Sequence, residues 1–412
     1  MKVKSDRTAF ASAGWATALA VIVAGGTLGF NVLALRFLPQ GQVSLLLSFF
    51  AFANLLAFFF SGFQISLMRN IGFSHRLALG IRFDRFSKDL LIIAFGLMLA
   101  IIISSPLWNG RLGISPIIIA TISVTPIWLA LLSIAGSRLN SKGYFALAGA
   151  MGLCNIALNL LVQVSVFSVY EVSLEKVLVL HTLVNLAVGS VAFMSIKSEV
   201  MTSSLFSPAN LRVAALAFIY AFLVQFDLLL SGLLLSVDER ANYAAASGLT
   251  KSILLFAGVF YLAVFRILIN RVKTGEQTTT VVSKGVWAAF AAGAFFSVCG
   301  FALGPQLLIF LYGDGWNIAS ELVPALALAV APFFVAGVMF QGLLVSPSWR
   351  DLISLSLVAT LTSICATIFV DTPTDLAFAW LLSGILVVFF LFFARRGSNV
   401  GEVVLGLSTS KM

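Results

Sequence analysis

Two charged residues of this chain stand deep inside apolar runs: an acid, Asp227, and a base, Lys251. The stretch that holds them, residues 225–251, reads QFDLLLSGLLLSVDERANYAAASGLTK, with the polar segment Val237-Asp238-Glu239-Arg240 between the two runs. Taking the turn as centred near residue 239 puts each charge 12 positions from it. Antiparallel helices joined there carry both to similar depths, roughly 13 Å below their helix ends at a rise of about 1.5 Å per residue. Charges at that depth are expensive, and they pair with one another or line a wet cavity. The two residues therefore read either as a structural ion pair locking a hairpin or as part of a transport site, and both readings stay open on the sequence alone.

A second set of polar residues lies upstream. Asn155, Asn159 and Gln163 are spaced i, i+4, i+8 and share one helical face, and His181 and Asn185 are likewise i, i+4 on the next run. A turn near residue 171 sets Asn159 at a depth near His181 and Asn185. Hydrogen bonding between helices accounts for such a set; so does the polar wall of a substrate cavity in which His181 titrates. Nothing else suggests catalysis. The chain has two histidines, His75 and His181, in separate regions, and no metal-spaced cluster or phosphate-cradling loop. Cys154, Cys299 and Cys365 all fall in apolar runs, which argues against a disulfide framework or a zinc site. The chain is read as a non-enzyme without a cofactor. Any coupling must come from an ion gradient, the substrate gradient or a partner.

The elements that position these residues are membrane helices. Hydrophobic residues make up 60% of the chain and charged ones 10%, with a mean hydropathy of +1.07; a soluble domain has no means of hiding that much apolar surface. Runs of about 20 apolar residues recur, as spanning helices require, without the alternation of a membrane β-barrel. We expect about 12 spans, near residues 9–37, 43–68, 90–107, 115–135, 145–167, 175–196, 211–236, 243–268, 286–311, 321–345, 352–370 and 376–394. The net charge of +9 is not a nucleic-acid footprint. Of the 25 basic residues, all but Arg36, Arg111, Lys176, Arg240 and Lys251 fall in alternate connections, which places both termini in the cytoplasm. The opposite loops are short and mildly acidic, too short for an extracytoplasmic domain. The basic connection 69–89 sets topology, with anionic headgroup contact as its second role. Trp108, Trp316 and Trp380 near outer ends, and Trp15, Trp287 and Trp349 near inner ends, read as interfacial anchors; Trp128 sits deeper. Gly25 and Gly29 have the spacing of a close helix contact, and Pro126, Pro324 and Pro332 interrupt spans at candidate kinks.

Two stretches carry a family likeness. FNVLALRFLPQGQVSLL at 30–46, followed by a span ending SGFQISLMRNIG at 61–72, resembles the first hairpin of the bacterial polysaccharide flippases of the Wzx type. Residues 225–251 resemble that family's seventh-to-eighth span pattern, an Asp in the helix, an acidic turn, then Tyr-Ala-Ala-Ala; Asp227, Tyr243 and Lys251 fall at the matching positions. These flippases share a superfamily with the MATE drug exporters and the lipid II flippases. Phe30-Asn31 and Phe226-Asp227 occupy comparable places before a turn, which suggests a duplicated bundle.

The resemblance implies an all-α, polytopic protein of the bacterial inner membrane, with two pseudo-symmetric six-helix lobes (residues 1–205 and 206–412) around a cavity that opens to either side in turn. The cargo it implies is an oligosaccharide on undecaprenyl pyrophosphate, whose polyprenyl tail stays among the membrane lipids. A cavity cation would offset the pyrophosphate charge: Lys251 is the first candidate and Arg36 the second, with Asp227 holding Lys251 until cargo binds. Asn31, Asn159, His181 and Asn185 complete the candidate cavity. A proton or sodium ion, and the glycan polymerase and ligase machinery, are the remaining partners, with no nucleic acid. The alternative is a MATE-like exporter of small amphipathic molecules in which Asp227 binds the coupling cation. The short outer loops argue against a glycan polymerase or ligase.

Overall fold

The computed structural model describes residues 22–23, 25–71, 85–112, 114–141, 145–169, 172–195, 206–274, 278–345 and 347–396. They form helix α1 (25–37), α2 (Gln40–Ile71), α3 (Arg85–Leu112), α4 (Pro116–Ser141), α5 (Phe145–Val169), α6 (Leu174–Ser195), α7 (Pro208–Leu234), α8 (Val237–Thr274), α9 (Thr279–Tyr312), α10 (Asn317–Val345), α11 (Trp349–Phe369) and α12 (Pro373–Arg396). No strand occurs among the described residues. Ten of the helices, α2 to α7 and α9 to α12, are long and apolar enough to cross a membrane. The protein is a polytopic all-α membrane protein. The expected spans fall on these helices, apart from residues 9–21 of the first, which lie outside the described residues, as do Trp15 and most of the 69–89 connection.

The chain divides into two compact units, Met1–Phe218 and Ile219–Met412, with the boundary inside α7. In the first unit, α4 packs against α2, α3, α5 and α6. Its core gathers Leu56, Phe60 and Phe63 of α2, Phe86 and Leu90 of α3, Trp128 and Ile134 of α4, and Ala214 of α7. The approach of α2 to α7 depends on a missing side chain. A Cβ on Gly62 would stand 2.6 Å from the Ala214 Cα, and one turn along Ser66 Oγ donates to Asn210 Oδ1. The Gly25/Gly29 pair does not make the contact its spacing suggested: nothing lies within 4 Å of a Cβ built on either, and it is Gly26 that meets Ile156 of α5, at 2.9 Å. The helix simply presents a different face, which spacing alone does not fix.

In the second unit α10 is the inner helix, packed against α8, α9 and α12. It runs through Pro324 and Pro332 without breaking. Beside Pro332, the Phe333 carbonyl accepts hydrogen bonds from two tyrosines, Tyr220 of α7 (3.3 Å) and Tyr261 of α8 (3.0 Å). The Tyr261 ring reaches it by filling the space where Gly337 lacks a side chain. At the end of α9, Gly313 takes φ +100°, a conformation glycine adopts without penalty, and the chain passes through a short 3-10 turn (Asp314–Trp316) into α10.

The tryptophans divide. Trp287 and Trp349 are exposed, as anchors require, but Trp316 and Trp380 are buried, with Trp380 showing no exposed surface. These two are packing residues of the second unit, not lipid-facing anchors: position along the helix suggested the interface, and the helix face decided otherwise.

Candidate functional site

The polar segment Val237–Arg240 is not the turn of the α7–α8 hairpin. The turn is Leu235-Ser236, and α8 begins at Val237. Ser236 and Glu239 explain this: the Glu239 carboxylate accepts from the Ser236 N–H (3.0 Å) and the Ser236 hydroxyl (2.6 Å), and Arg240 N–H donates to the Ser236 carbonyl (2.9 Å). A serine followed three residues later by a glutamate starts a helix, since the glutamate reaches back to a backbone donor the helix leaves unpaired. These bonds hold the Glu239 carboxyl below its ordinary pKa.

With the turn so placed, Tyr243 is the α8 residue level with Asp227, and Lys251 lies two turns deeper. The charges still meet, because helical side chains tilt toward the N-terminus of their helix, which for α8 is the turn, and the lysine stem spans the remaining distance. Tyr243, Ser247 and Lys251, at i, i+4, i+8, present three donors to one carboxylate. Lys251 Nζ is paired with Asp227 Oδ1. Asp227 Oδ2 accepts from the Tyr243 hydroxyl (2.8 Å) and the Ser247 hydroxyl (3.2 Å). The ammonium also donates to Gln225 Oε1 (3.4 Å) and lies 5.0 Å from the centre of the Trp380 ring. Trp380 is fixed in turn: its indole N–H donates to the Val224 carbonyl (3.1 Å), and it stacks on Phe333 at 5.0 Å. Asp227 and Tyr243 are fully buried and Lys251 nearly so.

Removing two charges from water costs several kcal/mol each unless the partners are complete. Here both carboxylate oxygens and the ammonium have partners. The arrangement holds a cation and an anion in a dry setting, each able to exchange its partner for a mobile ion of the same sign.

The other sequence-predicted residues lie in the first unit. Asn159, His181 and Asn185 are brought together: Asn155 Nδ2 donates to Asn185 Oδ1 (2.7 Å), Asn185 Nδ2 to the His181 carbonyl (2.6 Å) and Asn159 Nδ2 to the Asn155 carbonyl (3.0 Å). Gln163 Nε2 donates to the Val177 carbonyl (3.0 Å). Asn31 is buried on α1, next to Phe30, whose ring lies 5.6 Å from the His181 ring. Arg36 stands exposed in the last turn of α1. Sequence reasoning did not assign roles to Ser247, Gln225 or Trp380. The i, i+4, i+8 series through Tyr243 and Lys251 could have found Ser247. Neither Gln225, off the Asp227 face of α7, nor Trp380, on α12, leaves a local signal.

No family model matches the chain, and no curated protein does. Solved structures do. A lipid II flippase, MurJ, in an inward closed conformation superposes with a TM-score of 0.62 at 14% identity, over 92% of this chain and 87% of that one. The MATE multidrug transporter DinF-BH gives 0.61 at 16%, over 96% of each chain. A transporter of the MOP superfamily from Pyrococcus furiosus, described as having a binding pocket of reverse polarity, gives 0.64 at 10%, over 97% and 96%. Identities this low speak for architecture alone, and the chain has the fold that these MATE, lipid II flippase and related MOP-superfamily transporters share.

Proposed function

We propose that the protein is an alternating-access transporter of the bacterial inner membrane that flips an oligosaccharide linked to undecaprenyl pyrophosphate, for export of a surface polysaccharide. The observation that carries this reading is the buried Asp227–Lys251 pair. A pyrophosphate headgroup crossing a bilayer needs a cation that stays in low dielectric and is available on demand. Lys251, held by Asp227, Gln225 and the Trp380 ring, meets that need. Cargo phosphate would displace the Asp227 carboxylate, which keeps Tyr243 and Ser247 as donors and so is not left bare. Arg36 would serve as a second cationic contact, and Asn31, Asn159, His181 and Asn185 would line the sugar path. The likeness to a lipid II flippase structure supports a lipid-linked cargo, and the glycan polymerase and ligase would act on the delivered product. Both termini would face the cytoplasm.

The test is complementation of a deletion strain, reading surface glycan and extracted lipid-linked intermediates. Wild type should restore the glycan. Lys251→Ala should leave intermediates accumulated on the cytoplasmic face, with the protein still inserted. Intact glycan in the deletion strain would overturn the reading.

A second reading has its own support: a buried carboxylate with two hydroxyl partners can take a proton or sodium ion, and MATE structures superpose on this chain. A cation-coupled exporter of amphipathic molecules would change drug susceptibility on deletion and leave surface glycan unchanged.

A further inference from the structure

The first unit contains a ladder of polar residues with its middle rung unmade. Gln163 of α5 bonds the Val177 carbonyl of α6, and Asn155 of α5 bonds Asn185 of α6. In antiparallel helices these two rungs fix the register, and the rung midway between them joins Asn159 to His181. Yet Asn159 Oδ1 and His181 Nδ1 are both buried, and neither has a hydrogen-bond partner among the described residues. Asn159 is 1% exposed, so no solvent supplies the missing bond. Orphaned polar atoms at such depth are rare and ask for an explanation.

The surroundings of His181 point to a ligand. Its imidazole is enclosed by the rings of Phe30 on α1 (5.6 Å), Phe49 (6.4 Å) and Phe50 (5.2 Å) on α2, and Trp128 on α4 (6.0 Å between centroids). Aromatic rings at these distances attract a cation. The groups facing His181 from α1, α2, α4 and α5 are thus four rings and an amide. Of the charged residues whose side chains are described on the elements packed here, Arg36 closes α1, Arg138 bonds Ser87 and the Phe193 carbonyl, and Glu175 and Lys176 open α6.

We infer that His181 is a proton-binding site of the first unit, whose loaded form donates from Nδ1 toward Asn159 Oδ1 and closes the open rung. Neutral His181 leaves two acceptors facing one another; adding one proton turns the pair into a charge-assisted hydrogen bond, and the rings supply the countercharge that no carboxylate provides. A metal cation is a poorer fit, because the site offers neutral acceptors and no anionic ligand. Use of this proton to drive transport rests on the transporter reading above; the binding itself does not.

The experiment uses the full chain in lipid nanodiscs, labelled with ¹⁵N-histidine. Because the chain has two histidines, His75→Gln leaves the His181 ring nitrogens as the sole signals. The expected result is reversible protonation of His181 between about pH 4.5 and 8. In Asn159→Leu the protonated fraction at a fixed, mildly acidic pH should fall roughly tenfold, the worth of a charge-assisted hydrogen bond. Phe50→Leu, which keeps the ladder and removes one ring, should lower it about threefold and covers the case in which Asn159→Leu does not fold. A His181 that stays neutral throughout, or one that titrates alike in parent and both variants, overturns the inference; so does a signal that shifts with sodium at constant pH. No cargo is present, so the outcome is separate from that of the complementation test.

Discussion

Replacing Lys251 with methionine keeps the apolar stem of the side chain and removes its charge. Asp227 then stays fully buried with two hydroxyl donors, Tyr243 and Ser247, and no cation. Removing one member of a buried pair costs about 3–5 kcal/mol. For a unit of this size that is a fall in melting temperature on the order of 10 °C. Asp227→Asn should cost a similar amount, because it leaves the ammonium with Gln225 and a ring. The double variant removes both charges and should recover most of the loss, to within about 1–2 kcal/mol of the parent, because buried pairs are often replaceable by neutral groups. The assay is a double-mutant cycle on purified protein in detergent, read by intrinsic fluorescence on heating, alongside complementation. A restored melt without restored transport assigns the lysine to the transport step. If the two single losses simply add in the double variant, the pair is not coupled and the reasoning fails.

Three further outcomes are expected. Gly62→Ala should destabilise the protein by about 1–3 kcal/mol, since its Cβ meets the Ala214 backbone, not a movable side-chain tip; an unchanged melting temperature would show that α2 and α7 separate freely. Trp380→Phe keeps a ring beside Lys251 and loses the bond to the Val224 carbonyl, at a cost of about 1 kcal/mol, while Trp380→Leu should cost more by losing the ring as well; equal losses would dismiss the ring contact. Glu239 is held below its ordinary carboxyl pKa by Ser236, so its contribution is present above the unfolded value and is lost as pH falls through the folded one. Hydrogen exchange at the start of α8 should therefore speed up as the pH drops below about 4, and Glu239→Gln should flatten that dependence.

Hydropathy was enough to read the helices, because a bilayer demands long apolar runs whatever the tertiary packing. Helical spacing was enough to bring Asp227 to Lys251, although the turn was assigned three residues late: Asp238, Glu239 and Arg240 look like loop residues by polarity, and Ser236 with Glu239 is the signal that makes them a first helical turn. The contact at Gly26 and the burial of Trp380 were not legible. Each depends on which face a helix turns toward a neighbour, and that neighbour is more than 100 residues away in the chain. The Asn159–His181 level was legible from the turn, but the missing rung was not, since only coordinates reveal a polar atom without a partner.

The Asp227–Lys251 pair belongs to one hairpin, and this bears on how the protein is made. A lone charge at the centre of a spanning helix raises the cost of membrane insertion by about 2.5–3.5 kcal/mol. Here the base follows the acid by 24 residues, and the Tyr243 and Ser247 donors arrive with it. Once α8 is synthesised, the hairpin can leave the insertion machinery already neutralised, before α10 or α12 exists. Trp380 and the Phe333 carbonyl close around it afterwards. A translocation site of this composition can therefore be threaded into lipid early, without a chaperone to shield its charges.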